Sequence, residues 1–177
     1  TFDMYSDSFR ERAEVIAKAI GELCGGCERF LAVGLGNYAL TSYAVGPLTA
    51  EKIFATRHIK SLAKEIDTDD LGEVTVIQTG VLGNTGIESS EQVKAIAERV
   101  TPQAVIAVDA LACSELTNLG RTIQLCNTGI SPGSGVENAR KELSLSTLGV
   151  KCIAIGVPTV IALCTAAHHI FGQTAPE

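Results

Sequence analysis

The chain has 177 residues, of which 46% are hydrophobic and 19% charged, and its formal net charge is −6. These values fit one folded domain over residues 1–177 and exclude an intrinsically disordered chain. Nucleic acids and anionic membranes attract basic surfaces, so the acidic balance argues against both as partners. No apolar run is long enough to cross a bilayer, and the charged start lacks the apolar core of a signal peptide. We therefore expect a cytoplasmic protein.

Six cysteines are spread along the chain, mostly inside apolar runs, which is typical of small buried side chains in a reducing compartment. The pair in Cys24-Gly-Gly-Cys27 has redox spacing, but it follows a predicted helix instead of opening one, where the helix N-terminus would stabilise a thiolate. A zinc site would need a second pair of ligands at suitable spacing. We interpret the two glycines as the turn that ends the first helix.

The first half of the chain alternates between helical and extended patterns. An amphipathic helix is predicted over residues 8–23. A short buried strand, Phe30–Val33, follows and enters the tight loop Gly34–Asn37. The next helix should run from about Thr41 or Gly46 through Arg57. The residues predicted to face inward from this helix are Ala50, Ile53 and Phe54.

The same alternation continues to the end of the chain. A strand is predicted over Val74–Ile77, a loop over Gly80–Gly86 and a helix over Ser89–Val100, in which Ser89 and Gln92 form a capping-box pattern. The remaining predicted elements are strands over Ala104–Leu111, Thr122–Cys126 and Lys151–Val157, a Gly/Ser/Pro-rich loop over Asn127–Asn138, and a helix from about Thr159 to Ile170.

Strands that are apolar along their whole length and alternate with helices indicate an α/β fold whose mostly parallel sheet is covered on both faces. Right-handed crossovers place the loops that follow such strands along one edge of the sheet, where ligands and catalytic groups gather. We therefore expect Gly34–Asn37, Gly80–Gly86, Asp109 and the loop from Asn127 to Gly135 to lie in one neighbourhood.

Asp109 is the strongest candidate for a chemical role. It stands near the end of a strand that is otherwise Ala, Val and Ile, where burying a charge is costly. One interpretation is a general acid or base, or a metal ligand, with a perturbed proton affinity. The other is an aspartate whose side chain caps the following turn. The spacing alone leaves both open.

Gly34, Gly36 and Ala39 match the dinucleotide fingerprint G-x-G-x-x-A directly after a strand. That fingerprint also needs an acidic residue at the end of the second strand, roughly 20 residues further on. The residue at the end of the second strand is Gln78, which is uncharged and lies further along the chain than the fingerprint requires. The sequence therefore gives dinucleotide binding little support.

The histidines fit structural positions. His58 lies at the predicted end of a helix, where a cation suits the last carbonyls, and His168 and His169 lie near the end of the last helix. No H-E-x-x-H spacing is present, which excludes a self-contained zinc protease of that type, and no G-x-S-x-G elbow supports a serine hydrolase. Gly133-Ser-Gly135 is better interpreted as a flexible loop. We expect neither a metal nor a cofactor.

A series of motifs from about residue 31 to residue 160 resembles those of the germination (spore) protease family, in the same order and with the same spacing. They are Val33-Gly-Leu-Gly-Asn37, Thr41, Gly46-Pro47, Thr56-Arg-His58, Gly80-Val-Leu-Gly83, Thr85-Gly-Ile-Glu88, Val105-Ile-Ala-Val-Asp-Ala-Leu-Ala112, Thr122-Ile-Gln124, Thr128-Gly-Ile130, Pro132-Gly-Ser-Gly-Val136, Arg140-Lys-Glu142, Thr147-Leu-Gly149 and Ile153-Ala-Ile-Gly-Val-Pro-Thr-Val160.

The resemblance implies a three-layer α/β/α fold of the phosphorylase/hydrolase-like kind, similar to the hydrogenase maturation proteases. It implies an atypical aspartic endopeptidase that degrades small acid-soluble spore proteins during germination. Such a protein would be made as a zymogen in the forespore, act in the spore core and assemble as a homotetramer. No cofactor is implied.

The family's two proposed catalytic aspartates lie in T-P-D-A-L-G-P and at the end of the I-D-A-L-A strand. By this resemblance the second is Asp109, whereas the first falls at Tyr43 and is absent. Glu88 is the candidate for a substitute carboxylate. The substrate-binding positions that the resemblance suggests are Gly34, Gly36, Asn37, Gly83, Asn127 and Ser131, with Asn127 and Ser131 standing where the family usually has Asp and His.

The replacement at Tyr43 has a direct chemical consequence. An aspartic dyad works because two close carboxylates share one proton, so that one acts as base and the other as acid. A tyrosine stays protonated at neutral pH and cannot act as the base, but it can donate a hydrogen bond to an oxyanion. We therefore expect reduced or lost peptidase activity. The alternative is a catalytically inactive homologue that binds proteins during sporulation or germination.

Overall fold

A computed structural model of the chain describes residues 2–3, 9–62, 68, 71–132 and 141–172. Two 3-10 turns lie at Thr41–Tyr43 and Leu116–Asn118. The strands are β1 (Phe2–Asp3), β2 (Arg29–Leu35), β3 (Glu73–Gly80), β4 (Ala104–Cys113), β5 (Thr122–Cys126) and β6 (Lys151–Ile161). The helices are α1 (Phe9–Cys24), α2 (Val45–Lys52), α3 (Arg57–Leu62), α4 (Leu82–Thr85), α5 (Ser89–Val100), α6 (Leu145–Leu148) and α7 (Leu163–Phe171).

The six strands of the described part form one sheet in the order β1–β5–β6–β4–β2–β3. Neighbouring strands from β3 through β2 and β4 to β6 are parallel, while β5 is antiparallel to β6 and β1 is antiparallel to β5. The predicted mostly parallel sheet is confirmed. The direction of β5 was not predicted, and it follows from the short connection after β4, since a parallel return needs a crossover of about a dozen residues.

The central strand β2 shows why the sheet is covered on both faces. Leu31, Val33 and Leu35 are buried and pack in one cluster with Val93 and Ala97 of α5. Gly34 lies between them in the chain and so faces the other side of the sheet, where its nearest neighbours belong to α2. Helices therefore cover both faces, and the three-layer α/β/α prediction is confirmed.

Helix α1 has the predicted extent but lies largely on the surface. Of its residues only Cys24 is buried, and Phe9, the first residue of the helix, is 81% exposed. Two glycines with positive φ, Gly25 and Gly26, end the helix as predicted. The Lys151 ammonium donates hydrogen bonds to the carbonyls of Leu23 and Cys24, at 3.3 and 3.1 Å, so a cation completes this helix end.

The helix predicted through Arg57 is broken in the structure. Helix α2 ends at Lys52, and Phe54 is 71% exposed, so its predicted inward orientation was wrong, whereas Ala50 is buried as predicted. Thr56 causes the break, because its hydroxyl donates to the carbonyl of Gly72 at 2.5 Å and accepts from the amide of Val74 at 2.8 Å. These bonds to the start of β3 replace helical bonds, and α3 begins after them.

Two further details differ from the sequence predictions. Ser89 is the first residue of α5 and Glu88 its N-cap, so the capping box predicted for Ser89 and Gln92 was wrong. The Gln92 amide instead donates to the carbonyl of Ile87 at 3.1 Å. His58 lies in the first turn of α3, not at the C-terminal end of a helix as predicted.

The end of the chain also differs from prediction in one boundary. Strand β6 continues to Ile161, and α7 starts at Leu163 instead of near Thr159. His168 and His169 do lie in the last turn of α7, where His169 Nε2 is 3.1 Å from the carbonyl oxygen of Ser114. Within the described residues, no helix has the length and apolarity needed to cross a bilayer. The predicted loop beyond Pro132 lies outside the described residues.

Three glycines allow the first residues of α2 to lie directly against the sheet. A Cβ at Gly46 would collide with the carbonyl oxygens of Leu35 and Val108. A Cβ at Gly34 would collide with the carbonyl of Gly46, and one at Gly36 with the carbonyl of Tyr43. The G-x-G pattern at the end of β2 therefore serves close packing of the protein's own backbone.

Gly46→Ala should destabilise the protein by about 3 kcal/mol or more, because the colliding atoms are main-chain oxygens that cannot rotate away. Gly21→Ala is the matched control, since among the described residues no atom beyond the adjoining part of α1 itself lies within 4 Å of a Cβ at this position. We expect it to stabilise the protein by up to about 1 kcal/mol, because alanine is the better helix former. Urea unfolding checks both values, and equal stability of the two variants would contradict this account of the α2 contact.

Candidate active site

A cavity of about 240 Å³ opens at the carboxyl ends of β2, β3 and β4. Its described lining is Leu35, Gly36, Asn37, Leu40, Tyr43, Gly80, Val81, Ser89, Asp109, Ala110, Ala112, Pro132 and Val160. Each segment expected to meet at this edge of the sheet contributes at least one of these residues. The neighbourhood inferred from parallel-strand topology is therefore the one that the structure forms.

Asp109 reaches this cavity from the middle of β4. The residue is only 5% exposed, and its Oδ1 accepts a hydrogen bond from the Ala110 amide at 2.8 Å. The strand places it beside Gly156 of β6, so no side chain stands opposite it on that neighbour. This bond lies within β4, because Ala110 belongs to the same strand, so it is not the cap of a following turn. Asp109 also lines the cavity.

Tyr43 lines the same cavity from the last position of the first 3-10 turn. Its carbonyl oxygen accepts from the Asn37 amide at 3.0 Å, which ties the turn to the end of β2. The Thr159 hydroxyl donates to the carbonyl of Ser42 at 2.6 Å, which ties the turn to β6. The half-buried tyrosine is therefore held by two strands on either side of β4.

Asn37 contributes to the shape of the loop. Its side-chain oxygen accepts from the Ala39 amide at 3.0 Å, an Asx-turn bond that directs the chain from β2 into the 3-10 turn. Both Asn37 and Gly36 line the cavity, as proposed for substrate-binding positions.

Ser89 is a cavity residue that the sequence analysis assigned only to helix capping. It is buried, accepts from the Thr79 hydroxyl at 3.2 Å, and donates to the carbonyl of Gly80 at 3.4 Å. The apolar lining residues, such as Val81 and Val160, were also missed, since apolar side chains at strand ends look like ordinary core residues in a sequence.

Several predicted site residues lie away from this lining. Gly34 is buried behind it against α2, and Glu88 is the half-buried N-cap of α5. Gly83, Asn127 and Ser131 are exposed and do not belong to the lining. Among the described residues, Asp109 is the only carboxylate that lines the cavity. In the same part of the chain, no group of three His, Cys, Asp or Glu residues is arranged to hold a metal ion.

The loop that carries Asn127 begins at a cysteine with an unusual environment. The hydroxyl of Thr128 lies 2.7 Å from the Cys126 sulfur, and the Thr128 amide donates to it at 3.3 Å. These two bonds hold the pKa of the Cys126 thiol below its ordinary value. Burial has the opposite effect on the neighbouring strand, where it raises the pKa of Cys152 to about 11. All six cysteines are free thiols.

We predict that Thr128→Val raises the pKa of Cys126, because it removes the hydroxyl that stabilises the thiolate. Less thiolate would then be present at neutral pH, and alkylation of Cys126 by iodoacetamide should slow severalfold. Peptide mass spectrometry across a pH series measures this rate, with the exposed Cys164 as the control in the same sample. An unchanged pH profile at Cys126 would contradict the role of Thr128.

Comparison with known proteins gives relatives over nearly the whole chain. Residues 12–171 match the family described as germination protease. The germination protease of Clostridium perfringens is 43% identical over 169 residues, which is 94% of this chain and 52% of that protein. The germination protease of Caldanaerobacter subterraneus is 47% identical over 167 residues, or 93% and 52% of the two chains. That of Bacillus pumilus is 49% identical over 137 residues, or 77% and 37%.

Among solved structures, the [NiFe] hydrogenase maturation protease HycI from Thermococcus kodakarensis has a similar fold, with a TM-score of 0.50 at 20% identity. The match covers 79% of this chain and 80% of HycI, and it confirms the expected fold relationship. The chain spans about half the length of the first two relatives described above. From the match over residues 12–171 and these identities, the chain belongs to the germination protease family.

Proposed function

We propose that this chain carries the catalytic fold of an endopeptidase that hydrolyses small acid-soluble spore proteins in the spore core, with Asp109 as its catalytic carboxylate. One observation carries the proposal. Asp109 and Tyr43, the two positions that match the family's catalytic aspartates by motif, line the same cavity. Both line it because β2, which leads into the turn of Tyr43, and β4, which carries Asp109, are neighbouring parallel strands.

The two side chains support different parts of an aspartic-type hydrolysis. Asp109 would accept a proton from the attacking water as the water oxygen bonds to the peptide carbonyl carbon. The Tyr43 hydroxyl would donate a hydrogen bond to the carbonyl oxygen as it becomes negative. The proton would then pass from Asp109 to the leaving amine while the carbon–nitrogen bond breaks. Because no second carboxylate lines the described cavity, the step lacks the acid of the usual dyad, and we expect slow hydrolysis.

Cleavage of a small acid-soluble spore protein tests this proposal. We expect slow cleavage by the parent chain and none above background by Asp109→Asn. Tyr43→Asp should cleave at least about 100-fold faster than the parent, because a restored general acid or base contributes a rate gain of about this size. Electrophoresis of timed samples gives the rates. No cleavage by the parent and by Tyr43→Asp, in samples with intact circular dichroism, would overturn the proposed activity.

Two variants separate the chemistry from general effects of substitution. Tyr43→Phe keeps the ring but removes the hydroxyl, so it should slow the parent reaction if the hydroxyl stabilises the oxyanion. Tyr38→Asp adds a carboxylate at a residue that is 58% exposed and outside the cavity lining. It should leave the rate unchanged, whereas acceleration by Tyr38→Asp would show that added charge alone explains the effect of Tyr43→Asp.

A non-catalytic role is the second candidate, and the single carboxylate in the described cavity favours it. In that case the same cavity would bind a polypeptide without cleaving it. Binding of a spore protein by the parent chain, with no cleavage by the parent and cleavage by Tyr43→Asp, would assign this role to the chain.

We also propose that the chain self-associates, with α7 at the contact between copies. This helix carries Leu163, Ile170 and Phe171, which are 85%, 64% and 73% exposed, and none of its residues is buried. We expect the parent to sediment above monomer mass and the double variant I170S/F171S to sediment as a monomer. Phe9→Ser, at an equally exposed residue of α1, should sediment like the parent. A monomeric parent, or an unchanged double variant, would contradict the assignment.

A further inference from the structure

Strand β3 forms an edge of the sheet, and its first residues already have a partner on the outer side. Among the described residues, β2 is the only strand that pairs with β3. At Val74 the Thr56 amide donates to the carbonyl oxygen at 3.0 Å, and the Val74 amide donates to the Thr56 hydroxyl at 2.8 Å. Thr56 therefore occupies the outer edge as one residue of an added strand would.

Further along β3 the outer edge is open in the described part of the chain. Backbone groups of successive strand residues point to opposite sides, so those of Val76 and Gln78 point the same way as those of Val74. No described residue outside β2 bonds to their main-chain groups. Strand edges with unpaired amides and carbonyls bind extended chains, because an extended chain presents backbone donors and acceptors at the spacing of the edge.

An apolar groove of about 550 Å³ runs between this edge and helix α5. Its described lining is Ile77, Gln78, Ile87, Glu91, Gln92, Ala95 and Ile96. Side chains of an added strand alternate between the two faces of the sheet, so those on the α5 side would enter this groove. Glu91 is the only charged residue in the described lining, which favours a segment with an aliphatic residue beside a lysine or arginine.

The groove leads to the candidate active site. Gln78 lines the groove and Gly80 lines the cavity with Asp109, so only Thr79 separates the two along the strand. Two residues of extended chain span about 7 Å, and a polypeptide paired with Val76 and Gln78 would reach the cavity within a few residues.

We propose that the outer edge of β3 and the groove beside it bind an extended segment of a polypeptide substrate as an added strand and direct it to the cavity. The inference rests on the proposed function for the identity of this partner. Recognition through backbone bonds and one apolar pocket fits a substrate that is unfolded along the bound segment, because a folded chain has already paired its amides.

The test uses a short fluorescent peptide that alternates isoleucine with lysine, and the same peptide with alternate amides N-methylated. We expect the methylated peptide to bind at least about tenfold more weakly, since it lacks donors for the edge. Ala95→Trp fills the groove from an exposed helical position, and it should weaken binding of the unmodified peptide by a similar factor. Ala17→Trp makes the same change at an exposed position of α1, and this variant should bind the peptide with the affinity of the parent.

Amide hydrogen exchange locates the bound peptide. We expect the Val76 and Gln78 amides to exchange more slowly in the complex than in the free protein. Unchanged exchange at both amides, or equal binding by Ala95→Trp and the parent, would overturn the inference. Protection of these amides that rises with protein concentration in the absence of peptide would show that a second copy occupies the edge, and would also overturn it.

These outcomes are distinct from those of the cleavage assay. Peptide binding at the edge without any cleavage of spore protein, even by Tyr43→Asp, would leave the docking inference standing and remove the proposed activity. Cleavage that Ala95→Trp does not slow, together with unchanged peptide binding, would leave the activity standing and remove the docking inference.

Discussion

Gly46 packs against the main chains of two parallel strands, and the arrangement of the candidate site depends on this contact. The carbonyl oxygens of Leu35 and Val108 leave no room for a side chain at Gly46, so the first turn of α2 lies as close to the sheet as a backbone can. The preceding 3-10 turn is thereby held at the ends of β2 and β4, with its last carbonyl against Gly36. Tyr43, in that turn, and Asp109, which follows Val108, reach one cavity for this reason.

Under the proposed function, the proton transfers in the cavity differ from those of an aspartic dyad. In a dyad the two groups have similar proton affinities and can exchange roles during the reaction. The reference pKa values of aspartic acid and tyrosine differ by about 6, so a tyrosine keeps its proton and can only stabilise the oxyanion. We therefore expect the proposed site to lose cleavage rate before it loses substrate binding.

Local patterns were sufficient for some features and insufficient for others. The bounds of α5 and the existence of β5 follow from hydrophobic periodicity, because that periodicity reflects which side of an element is covered. The break before α3 and the exposure of Phe54 do not follow from it, since the Thr56 side chain bonds to Gly72 and Val74, at the start of β3 and distant in the sequence. Ser89 looked like a helix cap and is a cavity residue, because its partners lie on the preceding strand. A local pattern cannot show such partners.

By itself, the sequence determined the alternation of apolar strands and helices, the mostly parallel sheet, and the edge at which the loops gather with Asp109. Each of these depends on properties that neighbouring residues carry together, namely hydrophobic period, turn chemistry and the handedness of crossovers. Only the tertiary structure decided which loop residues enter the cavity and which stay outside it, as Glu88, Gly83, Asn127 and Ser131 do. That choice depends on backbone contacts between distant segments, such as the one at Gly46, where the available space is set by atoms that are not neighbours in the sequence.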